Sequence, residues 1–166
     1  KSVTGGVLAK EVSWTFTTPT PRLAASYPTG PSQPLEPVFY VAFDQRIEPA
    51  AVLKTIQVYA GSQAMELVLA TQEEIEQDKH ASRMIKHAQE GRWLAFKAVE
   101  PLPADTDINV TIGPGTPSAE GPLLTPDAQS FGFRTYAPLR IEEYGCSWYD
   151  TECRPLTPFY IRFNNE

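Results

Sequence analysis

A block of sequence that occurs twice sets the frame for this 166-residue chain. Ser13-Trp14-Thr15-Phe16-Thr17-Thr18-Pro19-Thr20-Pro21 returns 117 residues later as Ser130-Phe131-Gly132-Phe133-Arg134-Thr135-Tyr136-Ala137-Pro138, and Tyr27 matches Tyr144 at the same spacing. Pro34-Leu35-Glu36-Pro37 then answers to Pro155-Leu156-Thr157-Pro158, and Phe39-Tyr40-Val41-Ala42-Phe43-Asp44 to Phe159-Tyr160-Ile161-Arg162-Phe163-Asn164. Four extra residues fall in the stretch that holds both cysteines. Self-similarity of this kind marks an array of like modules. It makes residues 1 to about 18 the last strand of a preceding module, 20–136 one complete module, and 138–166 the start of a following one. Residues 1–10 have neither the basic start and apolar core nor the cleavage site of a signal peptide, so the expectation is a segment excised from a longer chain. Phe159, Ile161 and Phe163 would then lack a core of their own. They must pack on the complete module, pair with the N-terminal strand or seek another chain.

Inside the complete module the apolar residues mostly alternate, as strands require. Val38 to Phe43 sets Phe39, Val41 and Phe43 against Val38, Tyr40 and Ala42, and the bulkier set is the better core face. Further strands are expected at Thr55–Tyr59, Glu66–Leu69, Trp93–Phe96, Ile108–Ile112 and Ser130–Thr135, with a short Pro-started turn at 47–53. The exception is the stretch from Thr71 to Gly91. Thr71 and Glu74 form a capping-box signature, Glu73, Glu74 and Glu76 sit at the positive end of the dipole, and Lys86 and His87 near its negative end. One helix is expected at about 71–90, lying on the sandwich by a thin apolar face of Ile75, Ala81, Met84, Ile85 and Ala88. The fold class expected is all-β, an Ig-like antiparallel β-sandwich with one helical insertion.

Charge and composition then remove several classes of function. A net charge of −6 lacks the clustered Lys and Arg of a nucleic-acid partner. No apolar run approaches the roughly 18 residues of a membrane span, so no direct membrane insertion by this segment is expected. The 16 prolines suit strand edges, turns and linkers rather than helices.

Candidate chemistry is sparse. His80 and His87 share the expected helix two turns apart and could in principle share a metal with Glu73 or Glu76, but a tight pair needs three or four residues; solvated helix histidines are the simpler reading, with no metal. Glu73, Glu74, Glu76 and Asp78 read as capping and solvation. Gly113-Pro114-Gly115 is a turn, because Pro114 removes a donor and no Lys-Ser/Thr follows. Ser118 and Ser130 have no nucleophile-elbow surroundings. Cys146 and Cys153 fit a short-range disulfide, the alternative being two unrelated thiols. Trp14, Trp93, Trp148, Tyr144 and Tyr149 would suit a sugar-stacking platform; in a sandwich Trp14 and Trp93 read as core, leaving Trp148 and Tyr149, in the cysteine loop, as the exposed contact pair. No cofactor and no enzyme activity are expected.

With the strand order in view, the chain resembles the amino-terminal part of bacterial alpha-2-macroglobulin-like proteins. The resemblance rests on Ser13-Trp14-Thr15-Phe16-Thr17-Thr18-Pro19, Val41-Ala42-Phe43-Asp44-Gln45-Arg46-Ile47, Leu102-Pro103-Ala104-Asp105-Thr106 and the segment from Cys153-Arg154-Pro155 to Phe163-Asn164-Asn165. It implies a non-catalytic structural and interaction segment of a protease trap, periplasmic or extracellular and membrane-anchored, if at all, through the parent chain. Its partners would be neighbouring domains of the same chain and, through the full-length protein, target proteases. In that family a bait region is cut and a Cys-Gln thioester captures the attacker. Neither cysteine here stands in a Cys-x-Glu-Gln setting, so no catalytic residue carries over. The alternative is a generic adhesive or carbohydrate-binding Ig-like repeat of a bacterial extracellular protein, with Trp148 and Tyr149 as its site.

Overall fold

Phe39, Val41 and Phe43 alternate with Tyr40 and Ala42 along β3 (Phe39–Phe43), and the first set enters the core at no more than 3% exposure. A computed structural model, which describes residues 3, 5, 10–146, 153 and 156–164, places this strand inside a four-stranded sheet. The other strands of the sandwich are β1 (Leu23–Tyr27), β2 (Gly30–Gln33), β4 (Ile56–Ala60), β5 (Gln63–Met65), β6 (Leu67–Leu69), β7 (Trp93–Ala98), β8 (Asp107–Ile112) and β9 (Gln129–Thr135). One sheet has the order β1-β3-β7-β6 and the other β2-β9-β8-β4-β5. The pairings are antiparallel except that β2 runs parallel to β9. Named in chain order as A, A′, B, C, C′, D, E, F and G, the strands give A-B-E-D facing A′-G-F-C-C′, the immunoglobulin arrangement.

The inner faces meet through large apolar side chains. Phe39 stacks on Phe96 of the neighbouring strand at 4.9 Å between ring centroids and meets Phe133 of the opposite sheet at 5.7 Å. Leu94, Ile108, Val110 and Ile112 fill the space around them. Burying a side chain of this size stabilises the fold by about 1.5–3 kcal/mol.

Sequence alternation did not reveal β1, β2 or β5. In β2 the reason is plain: Gly30 and Ser32 take positive φ, Pro31 lies between them, and the strand sits at a sheet edge where such residues are tolerated.

The insertion falls between β6 and β7. It consists of two helices, α2 (Gln72–Gln77) and α3 (Lys79–His87), where one was expected; a shorter helix, α1 (Pro49–Leu53), precedes β4. Asp78 makes the break. It takes an extended conformation, and its Oδ1 accepts the His80 and Ala81 N–H groups, so it caps α3 instead of continuing α2. The capping box forms as expected: the Thr71 side chain accepts from the Glu74 N–H, and the Glu74 carboxylate accepts from the Thr71 N–H. Ile75 and Ala81 are buried with Val38 and Ala95 in a second small core on the outer face of the β3 sheet, with Ile85 and the half-buried Trp93 against it. Asp78 Oδ2 also accepts the Val38 N–H, tying the insertion to the residue before β3.

Trp14 departs from the expected core position. Residues 11–22 lie in no strand, and Trp14 is 77% exposed. The place it would fill as a last strand is already taken by β9, between β2 and β8, so its alternating pattern finds no partner within this sandwich.

Candidate functional site

The feature that stands apart from the sandwich is a two-stranded antiparallel sheet, β10 (Ile141–Gly145) with β11 (Tyr160–Phe163). Its ladder copies that of β1 and β3 residue by residue. Leu23↔Phe43, Ala25↔Ala42, Ser26↔Val41 and Tyr27↔Tyr40 correspond to Ile141↔Phe163, Glu143↔Arg162, Tyr144↔Ile161 and Gly145↔Tyr160. Both ladders shift register at the same step, after Leu23 and after Ile141. Both are closed by the same clamp. The Arg22 N–H donates to Asp44 Oδ1 at 2.8 Å and the Asp44 N–H to the Arg22 carbonyl at 3.1 Å; the Arg140 N–H donates to Asn164 Oδ1 at 2.8 Å and the Asn164 N–H to the Arg140 carbonyl at 3.2 Å.

This register corrects the sequence alignment by one residue, since Tyr27 answers to Gly145 and not to Tyr144. The connection between the strands is then two residues longer in the second copy, not four: twelve residues separate Tyr27 from Tyr40, and fourteen separate Gly145 from Tyr160. Cys146, immediately after β10, is disulfide-bonded to Cys153. The bridge occupies the part of the connection where the sandwich has β2, and it fits an oxidising, extracytoplasmic compartment. Trp148 and Tyr149, the expected contact pair, lie outside the described residues.

The two faces of β10–β11 differ sharply. On one, Phe159, Ile161 and Phe163 are 61%, 48% and 45% exposed, although they repeat the buried Phe39, Val41 and Phe43. On the other, Arg162 reaches Glu142 and Glu143 at 3.7 and 3.3 Å, and the Tyr160 hydroxyl donates to Glu143 at 3.0 Å. Lost hydration first, and then the hydrogen bond and charge of Glu143, push the Tyr160 phenol above its usual range. This one-sidedness is the pattern of a strand pair meant to be half covered.

Elsewhere most of the candidate chemical groups are engaged in structure, while His87 is exposed near the end of α3. His80 stacks on Tyr27 at 5.6 Å. Glu73 accepts from Gln77 and Glu76 from Gln72, each one helical turn away. Glu74 binds Lys97, and this hydrogen bond, followed by that from the Thr71 N–H, holds its carboxyl down to about 2. A groove of about 370 Å³ beside α2 is lined by Glu74, Asp78 and Lys97 among others, and these are the groups just described in the capping and ion-pair contacts. Ser118 Oγ donates to Gln45 Oε1 at 2.6 Å, and the Gln45 amide donates to the Pro19 carbonyl, so this serine anchors the entry of the chain into the sandwich. Among the described residues no group of three His, Cys, Asp or Glu side chains is placed to hold a metal ion, and no helix is long and apolar enough to cross a membrane.

No protein-family model matches the chain. The circularly permutated Ras protein 2 of Dictyostelium discoideum is 29% identical over 133 residues, covering 77% of this chain and 3% of that protein. Among solved structures, the N-terminal part of the bacterial S-layer protein SbsC aligns with 76% of this chain and 26% of its own, at 12% identity and a TM-score of 0.45. The S-layer protein rSbsC(31-844) aligns with 78% of this chain and 15% of its own, also at 12% identity, with a TM-score of 0.43. The chain thus spans a small part of each of these proteins.

Proposed function

We propose that this chain is a non-catalytic structural and interaction segment of a secreted or periplasmic bacterial alpha-2-macroglobulin-like protease inhibitor, in which like sandwiches follow one another. The observation that supports the array is the second copy of the β1–β3 ladder in β10–β11, with its register shift and its Arg-Asp or Arg-Asn clamp in the same places. Two strands with this register and a bare apolar face are the opening of a sandwich, and Trp14 and Phe16, which repeat the core residues Phe131 and Phe133, are the close of another. The segment would set spacing and orientation between neighbouring domains. Target proteases would meet the bait and thioester elsewhere in the full-length protein, and any membrane anchor would belong to the parent chain. The protease-trap part of the proposal rests on the family resemblance. The adhesive alternative rests on Trp148 and Tyr149 alone.

Two measurements on the longer natural protein test the two parts. Amides of β11 should exchange as slowly there as those of β3; fast exchange at Ile161 and Phe163 would remove the array. Mixed with a panel of endopeptidases, the longer protein should be cut at a restricted site and hold the enzyme covalently, while the 166-residue chain leaves the enzymes' rates unchanged. Absence of capture by the longer protein removes the inhibitor, and inhibition by the 166-residue chain removes the passive role.

A further inference from the structure

We propose that a cleft beside the helical insertion is a binding site for a lysine side chain presented by a partner protein. The site lies wholly within the complete sandwich and does not rest on the array reading above.

The cleft, of about 350 Å³, lies where α1, the end of β6, α2 and the start of β7 meet. Pro49 lines it from α1, Leu69 from β6, Gln72 and Ile75 from α2, Glu90 from the link after α3, and Trp93 from β7. This volume is at the small end for ligand pockets, so it suits one long side chain and not a folded segment. Its apolar lining is only partly covered by the fold. Ile75 is buried, but Leu69 is 40% exposed. Tyr40 lies against the Trp93 indole at 6.2 Å between ring centroids and leaves it half exposed.

The charges around the cleft choose the occupant. Glu90 is exposed and forms no ion pair or hydrogen bond among the described residues. Gln72 gives its amide N–H to Glu76, and its carbonyl oxygen remains able to accept. Of the two helices at the cleft, α1 has no charged residue, and α2 carries Glu73, Glu74 and Glu76 with no Lys or Arg. The cations nearest Glu90 are drawn elsewhere. Arg92 and Arg46, whose side chain passes beside Gly91, reach Glu120 at 3.8 and 3.4 Å, and Arg92 also donates to the Asp44 carbonyl.

An apolar cleft with an aromatic wall and an unpaired carboxylate matches the two parts of a lysine side chain. The four-carbon stem lies along Leu69 and Ile75, as such stems do on apolar surface, and the ammonium stays at the opening. There the Trp93 ring attracts it, and Glu90 and the Gln72 carbonyl accept its protons. An anion would meet Glu90 and the three glutamates of α2. A wholly apolar group would fill the cleft and leave these acceptors unused.

The test titrates two capped tripeptides, acetyl-Gly-Lys-Gly-amide and its norleucine analogue, into the 166-residue chain and follows it by NMR. Norleucine keeps the stem and lacks the ammonium. The lysine peptide should give saturable shifts at the Trp93 indole N–H, the Ile75 methyls and the amides of residues 90–95, while the Val110 amide stays unchanged. It should bind about 5-fold or more tighter than the norleucine peptide. Glu90→Gln should weaken the lysine peptide by about 3-fold or more and leave the norleucine peptide unaffected. Because Glu90 is exposed, this change leaves the fold intact, and an unaltered Val110 amide checks that. Equal binding of the two peptides would overturn the proposal, since the cleft would then recognise only apolar surface. It is also overturned if no saturable shift appears, if a glutamate tripeptide binds more tightly than the lysine one, or if the shifts centre on Lys97 and Glu100 in the groove beside α2.

Discussion

The β1–β3 and β10–β11 pairs have the same ladder, the same register shift and the same clamp, yet one lies at the centre of a core and the other stands with its apolar face in water. Register and cover are therefore set by different things. Register follows from residues within the pair itself: the Arg-Asp or Arg-Asn clamp at one end and the extra residue, Ala24 or Glu142, that shifts the ladder. Cover comes from elsewhere in the sequence, through Phe96 and Phe133 in the sandwich, and an isolated hairpin is only marginally stable in water without it.

The largest contrast should come from truncating equivalent residues. Phe39→Ala should cost the sandwich about 3–5 kcal/mol in denaturant unfolding, whereas Phe159→Ala in the 166-residue chain should change the same transition by less than about 0.5 kcal/mol. Comparable losses would mean that β11 is already buried and that the two regions do not differ as described. Opening the bridge with Cys146→Ser and Cys153→Ser addresses the other half of the comparison. Amide protection in β10–β11 should disappear, because a closed short loop is what limits its unfolded ensemble, while the sandwich midpoint stays where it was. A shift in that midpoint would show that the hairpin and the sandwich unfold as one unit.

Asp78→Ala should have a smaller effect, about 1 kcal/mol, through loss of the α3 cap. It should fall on the sandwich alone, since the second ladder has charge where the first has a helical cover; hydrogen exchange across both regions checks this. Smallest is the titration of Glu74. Its folded value of about 2 lies below the ordinary 4.5, so its contribution is present above pH 4.5 and is lost as pH falls through about 2. Solvent screening keeps it small. Urea midpoints taken from about pH 5 to about pH 2 should fall less steeply for Glu74→Gln than for the unaltered chain, and an identical slope would disconnect the Lys97 contact from stability.

Much of the fold was legible because the residues that carry it obey local rules. Alternation in Phe39–Phe43 identified the core face, and Thr71 with Glu74 identified a helix start. The break at Asp78 was not legible: an acid inside a run of Glu, Gln and Lys looks like one more solvated residue until its carboxylate is seen taking the His80 and Ala81 amides and the Val38 amide from another element. Trp14 misled for a similar reason, since alternation shows that a strand could be half buried and not whether a partner is at hand. In the site, the repeat was legible but its register was not. The identity of Tyr27 and Tyr144 drew the alignment to the wrong residue, while the signals that fix it, one clamp pair differing as Asp44 and Asn164 and one extra residue in each ladder, carry almost no sequence identity.

The parallel pairing of β2 with β9 has a mechanical consequence. The chain enters the sandwich through β1, paired with β3, runs on into β2 and leaves after β9, and β2 and β9 are held by paired positions Gly30↔Phe133 and Gln33↔Thr135 and by the Tyr136 N–H on the Gln33 carbonyl. Once β1 has come away from β3, a pull on the two ends slides β2 along β9 and loads those bonds together in shear, where an antiparallel pair would unzip them one at a time. A domain threaded in series with others would transmit tension along its length before it opened.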